Sequence, residues 1–591
     1  MATYLFDLES DGLLNELTRI HCLVLKDAET GEVHSFTPSE VEAGVRMLQD
    51  ADLIIGHNVI CFDIPALRKV FPWFSIERTR VRDSLTCSRL IWPDLSDRDR
   101  AKIAKGSDFP PKLAGRHSLA SWGHRLNEHK GDYQGGWEQW SEEMQHYCEQ
   151  DVEVTDRLWK LIESKDYSAR AIELEHGVQW VVSEQEGRGF GFNRTAAVHL
   201  YQRLVERRLE LEAELQDAFP PWEEELGEFI PKVNNKKLGY VKGVPVMKTK
   251  EMVFNPGSRQ HIAKRLIAIR GWKPKEFTND GHAKVDEAVL SSLSYPEAKL
   301  MSEYLMIQKR IGMLAEGAQA WLKAETEGRI YGSVITNGAV TGRATHRSPN
   351  VAQTPAVGAP YGEECRALFV PTGDRKLVGV DVSGLELRML GHYMSRWDDG
   401  AYADVVINGD IHTVNQKAAG LETRPQAKTF IYAFLYGAGA AKIGSIVGKG
   451  AAVGSKLKKK FLAQTPALKH LIEAVQGKAE QQGYLTGLDG RRLHIRSNHA
   501  ALNTLLQSAG AIVCKQWMVN LDEALRDHGL HDKCGQVAWV HDELQIEADA
   551  DCAEQVGQLA VDAIVTAGDL LDVRVPLTGE YKVGENWAET H

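Results

Sequence analysis

The stretch AWVHDELQIE (538–547) places two adjacent carboxylates, Asp542 and Glu543, in the middle of an apolar segment. Apolar residues precede the pair and alternate after it, a pattern that predicts a buried β-hairpin or a bent strand. Burying two carboxylates without compensation is very unfavourable. The sequence therefore predicts that a neighbouring group neutralises this pair.

A second acidic strand is KLVGVDVSGLELRML (376–390), in which Asp381 ends an apolar strand and Glu386 lies on the helix that follows. If the hairpin brings Asp542 to Asp381, two facing carboxylates require a divalent cation. The best-known use of such a pair is two-metal phosphoryl transfer, in which one ion activates a 3′-hydroxyl and the other holds a triphosphate. Adjacent acids are also common in turns, so the hairpin alone is weak evidence.

A helix is predicted for TRPQAKTFIYAFLYGAG (423–439), whose polar and aromatic residues recur every four positions. Proline is tolerated only in a first helical turn, so the helix begins near Arg424, and the glycines at its end can terminate it. Arg424 and Lys428 then lie at the positive end of the helix dipole, where a triphosphate can bind. Tyr432 and Tyr436 offer rings to the base and sugar. Without the acidic strands, an amphipathic helix with core aromatics would be the better interpretation.

Residues 1–160 alternate strand-like and helix-like stretches, as an α/β domain does, and contain a second set of acids. Asp7 and Glu9 share one face of a predicted strand in YLFDLESDGLL (4–14). Further acids are Asp63 in GHNVICFDIPAL (56–67) and Asp151 in HYCEQDVEVT (146–155). Four carboxylates can hold two Mg²⁺ ions for phosphodiester cleavage. Each acid taken singly would more often be a helix cap or a surface group.

Tyr147 precedes Asp151 by four residues and could orient the attacking water. The pattern resembles that of the DEDD 3′–5′ exonucleases in their tyrosine variant. His146 has the spacing of the histidine variant, which leaves its participation open, although helical phase favours Tyr147.

Composition excludes several classes of protein. A chain of 591 residues with 43% hydrophobic and 26% charged residues is typical of a soluble protein with several domains. It contains no apolar run that could span a bilayer, and its N-terminal stretch lacks the features of a secretory signal. Eight cysteines without a CxxC pair argue against a disulfide framework or a structural zinc site. The net charge of −11 does not by itself indicate nucleic acid.

Two long helices are predicted at 191–219 and 297–316, the first with an apolar stripe formed by Leu200, Leu204, Leu211 and Leu215. Between them, KVNNKKLGYVKGVPVMKTK (232–250) carries six lysines and no acid. The pattern predicts an antiparallel arm with a basic loop. A lysine run taken alone is usually a solvated surface.

Together the motifs resemble those of the family A DNA polymerases, the bacterial DNA polymerase I family. The helix at 424–437, DVSGLE (381–386) and VHDE (540–543) correspond to the family's motifs B, A and C. The similarity continues through TGRATHRSPNVAQTP (341–355), NGDIHTVNQ (408–416), GLDGRRLHIRS (487–497) and ALNTLLQSAG (501–510). The sequences of these motifs are most similar to those of the replicative polymerases of short-tailed T-odd bacteriophages.

The resemblance implies a multidomain α/β and α+β fold, with a ribonuclease H-like DEDD exonuclease domain followed by a right-hand polymerase. The expected ranges are 1–187 for the exonuclease, 188–325 for a thumb with a basic tip, 326–400 for the first part of the palm, 401–486 for the fingers and 487–591 for the second part of the palm.

The resemblance also implies the residues of each site. Asp381 and Asp542 are the polymerase metal ligands, Glu543 supports them, and Lys428 acts on the triphosphate. The nucleotide-binding residues are His412, Arg424, Lys428, Tyr432, Glu386 and Tyr436. The DNA-binding residues are Arg343, Arg491, Asn503, Gln507 and His541. The exonuclease metal ligands are Asp7, Glu9, Asp63 and Asp151, with Tyr147 as a catalytic residue.

Each active site is expected to take two Mg²⁺ ions, with Mn²⁺ as an alternative. The expected partners are primer–template DNA, deoxynucleoside triphosphates, and a phage helicase-primase and single-strand-binding protein, in the cytoplasm of a bacterial host and without membrane association. The nearest phage polymerases carry a long thumb insertion that binds host thioredoxin. Here the interval before VFNPGSRQHI (253–262) is short, so thioredoxin is not an expected partner.

Three other functions are alternatives to a DNA polymerase. A single-subunit RNA polymerase shares the two palm aspartates, but Glu386, which blocks a ribose 2′-hydroxyl in this family, argues against it. A stand-alone nuclease would leave the two polymerase acids without purpose, and a replisome scaffold would need none of the acid sets. We therefore expect a replicative DNA-dependent DNA polymerase with 3′–5′ proofreading and no preceding 5′-nuclease domain.

Overall fold

The computed structural model describes residues 2–128 and 133–591. The chain divides into two compact units, one comprising 1–190, 331–353 and 370–591 and the other 191–330 and 354–369. The ranges predicted for exonuclease, palm and fingers fall mainly in the first unit, and most of the predicted thumb falls in the second. The boundaries of the individual domains remain predictions.

Residues 2–190 form a five-stranded sheet in the order β3-β2-β1-β4-β5, flanked by helices, which agrees with the predicted α/β pattern. β1, β2 and β3 are antiparallel, whereas β4 and β5 run parallel to β1. The strands are β1 (Thr3–Ser10), β2 (Ile20–Asp27), β3 (Val33–Phe36), β4 (Leu53–Gly56) and β5 (Val81–Asp83). The helices are α1 (Val41–Asp50), α2 (Asp63–Val70), α3 (Ser84–Ile91), α4 (Leu95–Ala104), α5 (Leu119–Leu126), α6 (Glu142–Glu163) and α7 (Ala169–Arg188), and a short strand β6 (Phe190–Gly191) follows.

Helix α6 carries two of the predicted exonuclease residues and is held against β1 and β2 by a small apolar core. Met144, Cys148 and Val152 recur every four residues on α6 and pack against Leu5 and Val24 of the sheet. This packing directs the neighbouring residues of the helix toward the strand that carries Asp7 and Glu9.

The second unit contains the predicted arm. Its elements are α8 (Arg194–Ala218), β7 (Trp222–Phe229), β8 (Val246–Met252), α9 (Arg259–Arg270), α10 (Glu287–Ser291), α11 (Pro296–Ile311), α12 (Trp321–Ala324), β9 (Glu325–Thr326), β10 (Arg329–Ile330) and α13 (Gly362–Arg366). The four leucines of the α8 stripe are all buried, as predicted. Tyr304 of α11 donates to Glu212 of α8 at 3.0 Å, and Tyr201, nearer the start of α8, donates to Glu316, which follows α11, at 3.3 Å, so the two helices pack antiparallel.

The basic segment between these helices is more ordered than the predicted loop. Its C-terminal part is strand β8, which pairs antiparallel with the acidic strand β7 and places Lys250 opposite Glu224. The ammonium of Lys248 lies 4.5 Å from the ring centroid of Phe229. Both strands are rich in charged residues, so apolar alternation did not predict this pair.

Part of the predicted palm, 354–369, belongs to the second unit because of aromatic packing. Phe369 contacts the rings of Phe192 and Trp321, at centroid distances of 5.5 and 5.1 Å. The backbone N–H of Asn193 also donates to the carbonyl of Leu368. These contacts tie the segment to the start of α8.

The remaining elements complete the first unit. The strands are β11 (Ser333–Ile335), β12 (Thr345–Arg347), β13 (Lys376–Val382), β14 (Tyr484–Thr486), β15 (Arg492–His494), β16 (Cys534–Val540), β17 (Glu543–Ala548) and β18 (Gly579–Gly584). The helices are α14 (Leu385–Asp398), α15 (Ala401–Asn408), α16 (Ile411–Ala419), α17 (Arg424–Leu435), α18 (Ala440–Ser445), α19 (Ala451–Gln464), α20 (Pro466–Gln482), α21 (Ala501–Asp527) and α22 (Ala553–Leu570).

A four-stranded sheet in the order β16-β17-β13-β18 forms the centre of this part of the chain. Strands β16 and β17 are the hairpin predicted from AWVHDELQIE, and every residue of both strands is buried. The two residues between them, His541 and Asp542, make the turn, with His541 at φ 59°. The turn thus presents Asp542 at the edge of a sheet whose strands are fixed by burial.

The part of the chain that the structure describes contains no helix that is both long and apolar enough to cross a membrane.

A buried ionic cluster joins α7 to the C-terminal part of the same unit. Glu175 of α7 is fully buried and pairs with the buried cations Arg491, at 2.8 Å, and Lys515 of α21. Asp489 pairs with Arg491 at 2.6 Å, so two carboxylates balance two cations. Burial lowers the pKa of Lys515 to about 8 although Glu175 favours its charged form.

We predict that Glu175→Ala destabilises the protein by about 3–5 kcal/mol, because it leaves two buried cations with one carboxylate. The measurement is the thermal melting temperature. The control is Glu173→Ala, which removes an exposed carboxylate of the same helix and should melt like the wild type. Lys515→Met added to Glu175→Ala should restore most of the loss, and failure to do so would show that charge imbalance is not the cause.

Candidate active sites

The register of β13 and β17 brings the predicted polymerase acids together. Asp381 lies opposite Glu543, and the N–H of Val382 donates to the carbonyl of Asp542 at 3.1 Å. Burial, together with the charge of Glu543, raises the pKa of Asp381 to about 6. Burial and the charge of Asp381 raise the pKa of Asp542 to about 7. The two aspartates therefore repel each other, and their oxygen ligands fit a divalent cation.

Glu543, in contrast, is held by hydrogen bonds from the protein. Its carboxylate accepts hydrogen bonds from Trp587 Nε1 at 2.5 Å and from Gln545 Nε2 at 2.8 Å. The ring of His591 lies 2.9 Å from its second oxygen. Glu543 is thus held in place by three side chains, which fits the supporting role predicted for it better than direct ligation of a cation.

Helix α14 places Glu386 beside this pair of aspartates. The hydroxyl of Tyr436 donates to Glu386 at 2.9 Å, and Arg343 lies 4.0 Å from the same carboxylate oxygen. Burial and the charges of Glu386 and Asp542, with a contribution from the Tyr436 hydroxyl, raise the pKa of Tyr432 to about 12. The structure therefore brings the C-terminal half of α17 to the palm acids.

The N-terminal half of α17 carries the predicted phosphate-binding residues. The helix begins at Arg424, as predicted, with Thr423 and Gln426 forming a capping box and Pro425 in the first turn. Arg424 pairs with Asp410 at 2.8 Å, whereas Lys428 is exposed. The ring of His412 lies 6.3 Å from that of Tyr432. Burial, together with the charges of Arg424 and Lys428, lowers the pKa of His412.

Four of the five predicted DNA-binding residues lie around one cavity or on the helix that lines it. Arg343, His541 and Asp542 line the cavity together with Leu506 and Cys514 of α21. Asn503 and Gln507 lie on the same helix, where Gln507 donates to Asn503 at 2.9 Å. Both are partly accessible in a turn of α21 that is otherwise buried.

Arg491 is not part of this set. Its side chain is 2% exposed and is engaged by Asp489 and Glu175. The structure therefore assigns to Arg491 a place in the buried ionic cluster, and the predicted contact with DNA does not fit its burial.

The predicted exonuclease acids come from three elements of the first sheet and its helices. Asp7 and Glu9 project from one face of β1, and Asp151 lies on α6, where its side chain is 4% exposed. Asp63 is the first residue of α2 and contacts the backbone of Leu8, which lies between Asp7 and Glu9. Burial and the charges of Asp83 and Asp151 raise the pKa of Asp63 to about 8.

Tyr147 and His146 occupy different sides of α6. Tyr147 packs near Tyr133 and Trp137, with ring centroids 5.7 and 6.5 Å apart. The side chain of His146 is 69% exposed and pairs with Glu149. This arrangement agrees with helical phase, although the participation of His146 remains untested.

Sequence reasoning missed several residues that support these sites. Asp83 is buried and accepts hydrogen bonds from the backbone of Asn58, Ile60, Leu85 and Thr86, so it fixes the loop that precedes Asp63. An aspartate before a helix was a usable signal. The donors to Glu543 gave no local signal, because Trp587 and His591 lie more than 40 residues away in sequence.

Comparisons with known proteins agree with these motifs. Residues 237–589 match the model of the family described as DNA polymerase family A. The chain is 40% identical over 702 aligned positions to the DNA-directed DNA polymerase of Enterobacteria phage T3, with 99% of each chain covered. It is also 40% identical to that of Escherichia phage T7, with the same coverage.

More distant relatives include DNA polymerase I of Rhizobium leguminosarum, which is 24% identical and matches 76% of this chain and 43% of its own length. Among solved structures, the POL domain of Pol1 from M. smegmatis, in complex with DNA primer-template and dNTP, has a TM-score of 0.76 at 17% identity. That similarity covers 99% of this chain and 96% of the other, and it shows a shared fold.

The repulsion between Asp381 and Asp542 predicts a pH-dependent stability. A folded-state pKa of about 7 for Asp542 exceeds its ordinary value of 3.8. The folded protein therefore binds the proton more tightly than the unfolded chain, and stability falls as pH rises from about 4 to 7. We expect Asp542→Asn to raise the stability of the metal-free protein at pH 8 by about 1–2 kcal/mol.

Thermal melting at pH 5 and pH 8, with and without Mg²⁺, measures this effect. The wild type should gain stability from Mg²⁺ at pH 8, and Asp542→Asn should lose most of that gain. Asp562→Asn, which changes an exposed aspartate of α22, is the control. Equal responses of all three proteins to pH and Mg²⁺ would contradict the predicted repulsion.

Proposed function

Because the chain belongs to DNA polymerase family A, we propose that it is a replicative DNA-dependent DNA polymerase with 3′–5′ proofreading. It adds deoxynucleotides to a primer 3′ end as the template directs. The observation that carries the proposal is the juxtaposition of Asp381 and Asp542, two carboxylates whose pKa values are both raised by burial and by neighbouring acids.

Family A DNA polymerases use divalent metal ions, and Asp381 and Asp542 are the residues that would hold them in the palm. We infer that the ions are Mg²⁺, since both ligands are hard oxygens, with Mn²⁺ as an alternative. When bound, two such ions stabilise the charge that develops on a triphosphate during transfer. Glu543, held by Trp587 and Gln545, keeps the β17 backbone next to Asp542 in register.

The incoming nucleotide would lie along α17. Its triphosphate meets Arg424 and Lys428 at the positive end of the helix, with His412 beside them. Tyr432 and Tyr436 flank the base and sugar. The hydrogen bond from Tyr436 to Glu386 holds that carboxylate next to the sugar site, where an additional 2′-hydroxyl would meet it.

The primer–template would lie against Arg343, Asn503, Gln507 and His541. Asn503 and Gln507 offer both donors and acceptors, which suits contacts in a minor groove. The side chain of Arg343 is one-third exposed and can reach DNA, whereas that of Arg491 cannot without breaking its buried ion pairs. Arg491 is therefore left out of the proposed DNA site.

Proofreading is proposed for residues 1–187, a ribonuclease H-like DEDD domain. Asp7, Glu9, Asp63 and Asp151 would hold two Mg²⁺ ions, and the Tyr147 hydroxyl would orient the attacking water. The raised pKa of Asp63 supports the proposal, because a buried carboxylate next to two others is stabilised by a bound cation.

The proposed partners follow from the phage relatives. They are a phage helicase-primase and a single-strand-binding protein, in the cytoplasm of a bacterial host. The 702 aligned positions exceed the 591 residues of this chain, so the phage relatives carry segments that it lacks. Host thioredoxin is not a proposed partner, since the segment between α8 and α9 is a short hairpin.

The two acid sets predict separable activities. We expect Asp542→Ala to abolish primer extension and leave digestion of single-stranded DNA from its 3′ end. Asp7→Ala with Glu9→Ala should do the reverse, because each set supplies ligands to its own ions. Both activities are measured with end-labelled DNA for the wild type and both variants.

The control for this pair is Asp562→Ala, which changes an exposed aspartate and should retain both activities. A variant that melts like the wild type and yet loses both activities would refute the two-site proposal. Extension with ribonucleotides instead of deoxynucleotides would indicate an RNA polymerase.

We expect the β7–β8 hairpin to bind duplex DNA through its lysines. Lys236, Lys237 and Lys242 lie between the strands and are exposed. Each lysine that neutralises a phosphate steepens log K against log [salt] by about 0.9. Replacing all three by Ala should therefore flatten the slope by up to about 2.7 and shorten the products, with single-nucleotide addition at saturating DNA unchanged.

Lys102, Lys105 and Lys112 are exposed lysines of the predicted exonuclease range, and their replacement by Ala is the matched control. It should leave the salt slope for duplex DNA unchanged. Added thioredoxin should not lengthen the products of the wild type. If both triple variants showed the same slope of log K against log [salt], the hairpin would not be the DNA-binding surface. Longer products in the presence of thioredoxin would lead to the same conclusion.

A further inference from the structure

A thiol lies directly beside the carboxylates of the exonuclease site. Cys148 is on α6 between Tyr147 and Asp151, and its side chain is fully buried. Its Sγ is 3.3 Å from the carbonyl oxygen of Asp7 and 3.7 Å from Asp7 Oδ2. One ligand atom each from Asp7, Glu9 and Cys148 lies within 4.8 Å of the other two. Two carboxylate oxygens and one sulfur therefore lie in a single cluster.

The separation of sulfur and oxygen matches a single tetrahedral ion. Zinc–sulfur bonds of about 2.3 Å and zinc–oxygen bonds of about 2.0–2.2 Å, at a tetrahedral angle, place the two ligand atoms about 3.6 Å apart. The observed distance of 3.7 Å between Cys148 Sγ and Asp7 Oδ2 needs almost no adjustment. The path to this point is open on the carboxylate side, because Asp7 and Glu9 are only partly buried.

The thiol increases the binding affinity of some metal ions and not of others. Mg²⁺ prefers oxygen and keeps several waters, so Cys148 contributes nothing to its binding except a weak S–H donor to Asp7. Soft ions such as Cd²⁺ and Zn²⁺ bind thiolate strongly. A cysteine that served only to fill the core would not need to contact a carboxylate, whereas Cys148 contacts both the apolar core and Asp7.

We propose that Cys148 determines the metal specificity of this site by acting as a third ligand, together with Asp7 and Glu9, for soft divalent ions of the cadmium and zinc class. The inference rests on the proposed exonuclease only for the role of the two carboxylates. On binding, a sulfur–metal bond forms and the thiol proton leaves to solvent. The ion then occupies the position of a Mg²⁺ ion and stops DNA digestion.

The experiment titrates Cd²⁺ into the full-length protein in the presence of excess Mg²⁺. Two quantities are recorded, namely the ultraviolet charge-transfer absorption of a cadmium–thiolate bond and the digestion of single-stranded DNA. The variants are Cys148→Ser, which keeps a small donor but removes sulfur, and Cys87→Ala, which removes a buried thiol from a separate apolar cluster of the same range. Melting curves establish that each variant is folded.

We expect the wild type and Cys87→Ala to show the cadmium–thiolate band and to lose DNA digestion as it appears. Cys148→Ser should lack the band and bind Cd²⁺ at least about tenfold more weakly. Asp7→Asn keeps the thiol and should also weaken Cd²⁺ binding about tenfold, which tests the site even if Cys148→Ser is unstable.

The same Cd²⁺ affinity and absorption in Cys148→Ser and the wild type would overturn the inference. If the wild type digested DNA in the presence of Cd²⁺ and showed no cadmium–thiolate band, the inference about Cys148 would also be overturned. The proposed exonuclease activity would then still hold. A band that Cys148→Ser lacks, in a protein that digests no DNA, would support the metal site and refute the exonuclease.

Discussion

The antiparallel pairing of β13 with β17 is the constraint on which the polymerase site depends. It places Asp381 opposite Glu543 and next to Asp542 at the two-residue turn. Because side chains alternate along a strand, a shift of one residue would turn Asp381 to the opposite face of the sheet. The register is fixed because both strands of the β16–β17 hairpin are buried throughout. The apolar core of the palm thus determines where its charges lie.

The three acids of this sheet, Asp381, Asp542 and Glu543, differ in the groups that surround their carboxylates. Glu543 receives hydrogen bonds from side chains of its own sheet and of the C-terminal segment, so it is compatible with a folded, metal-free protein. Asp381 and Asp542 instead raise each other's pKa. The fold tolerates this repulsion because the strand pairing and the buried surroundings hold the two residues next to each other.

The elements that were predictable from sequence are those whose signals are local. The hairpin followed from apolar alternation, α17 from Pro425 and the four-residue spacing, and the arm from the leucine stripe of α8. The acid sets could be recognised because their motifs are short. The burial of Arg491 was not predictable from sequence, because its partner Glu175 lies on α7, far away in the chain. The β7–β8 pair was missed because both strands are rich in charged residues and lack apolar alternation. Cys148 has no local sequence signal, because its contact with Asp7 joins α6 to β1.

The buried cluster around Glu175 has a consequence for how such chains can recombine during evolution. An N-terminal module with the predicted bounds 1–187 includes Glu175, and both of its cationic partners lie beyond residue 490. If such a module came from a relative without an acid at this position, the buried cations Arg491 and Lys515 of the host would be left with Asp489 as the carboxylate of the cluster. Exchange of the N-terminal module is therefore restricted to donors that match this single ionic junction, however similar their catalytic residues are.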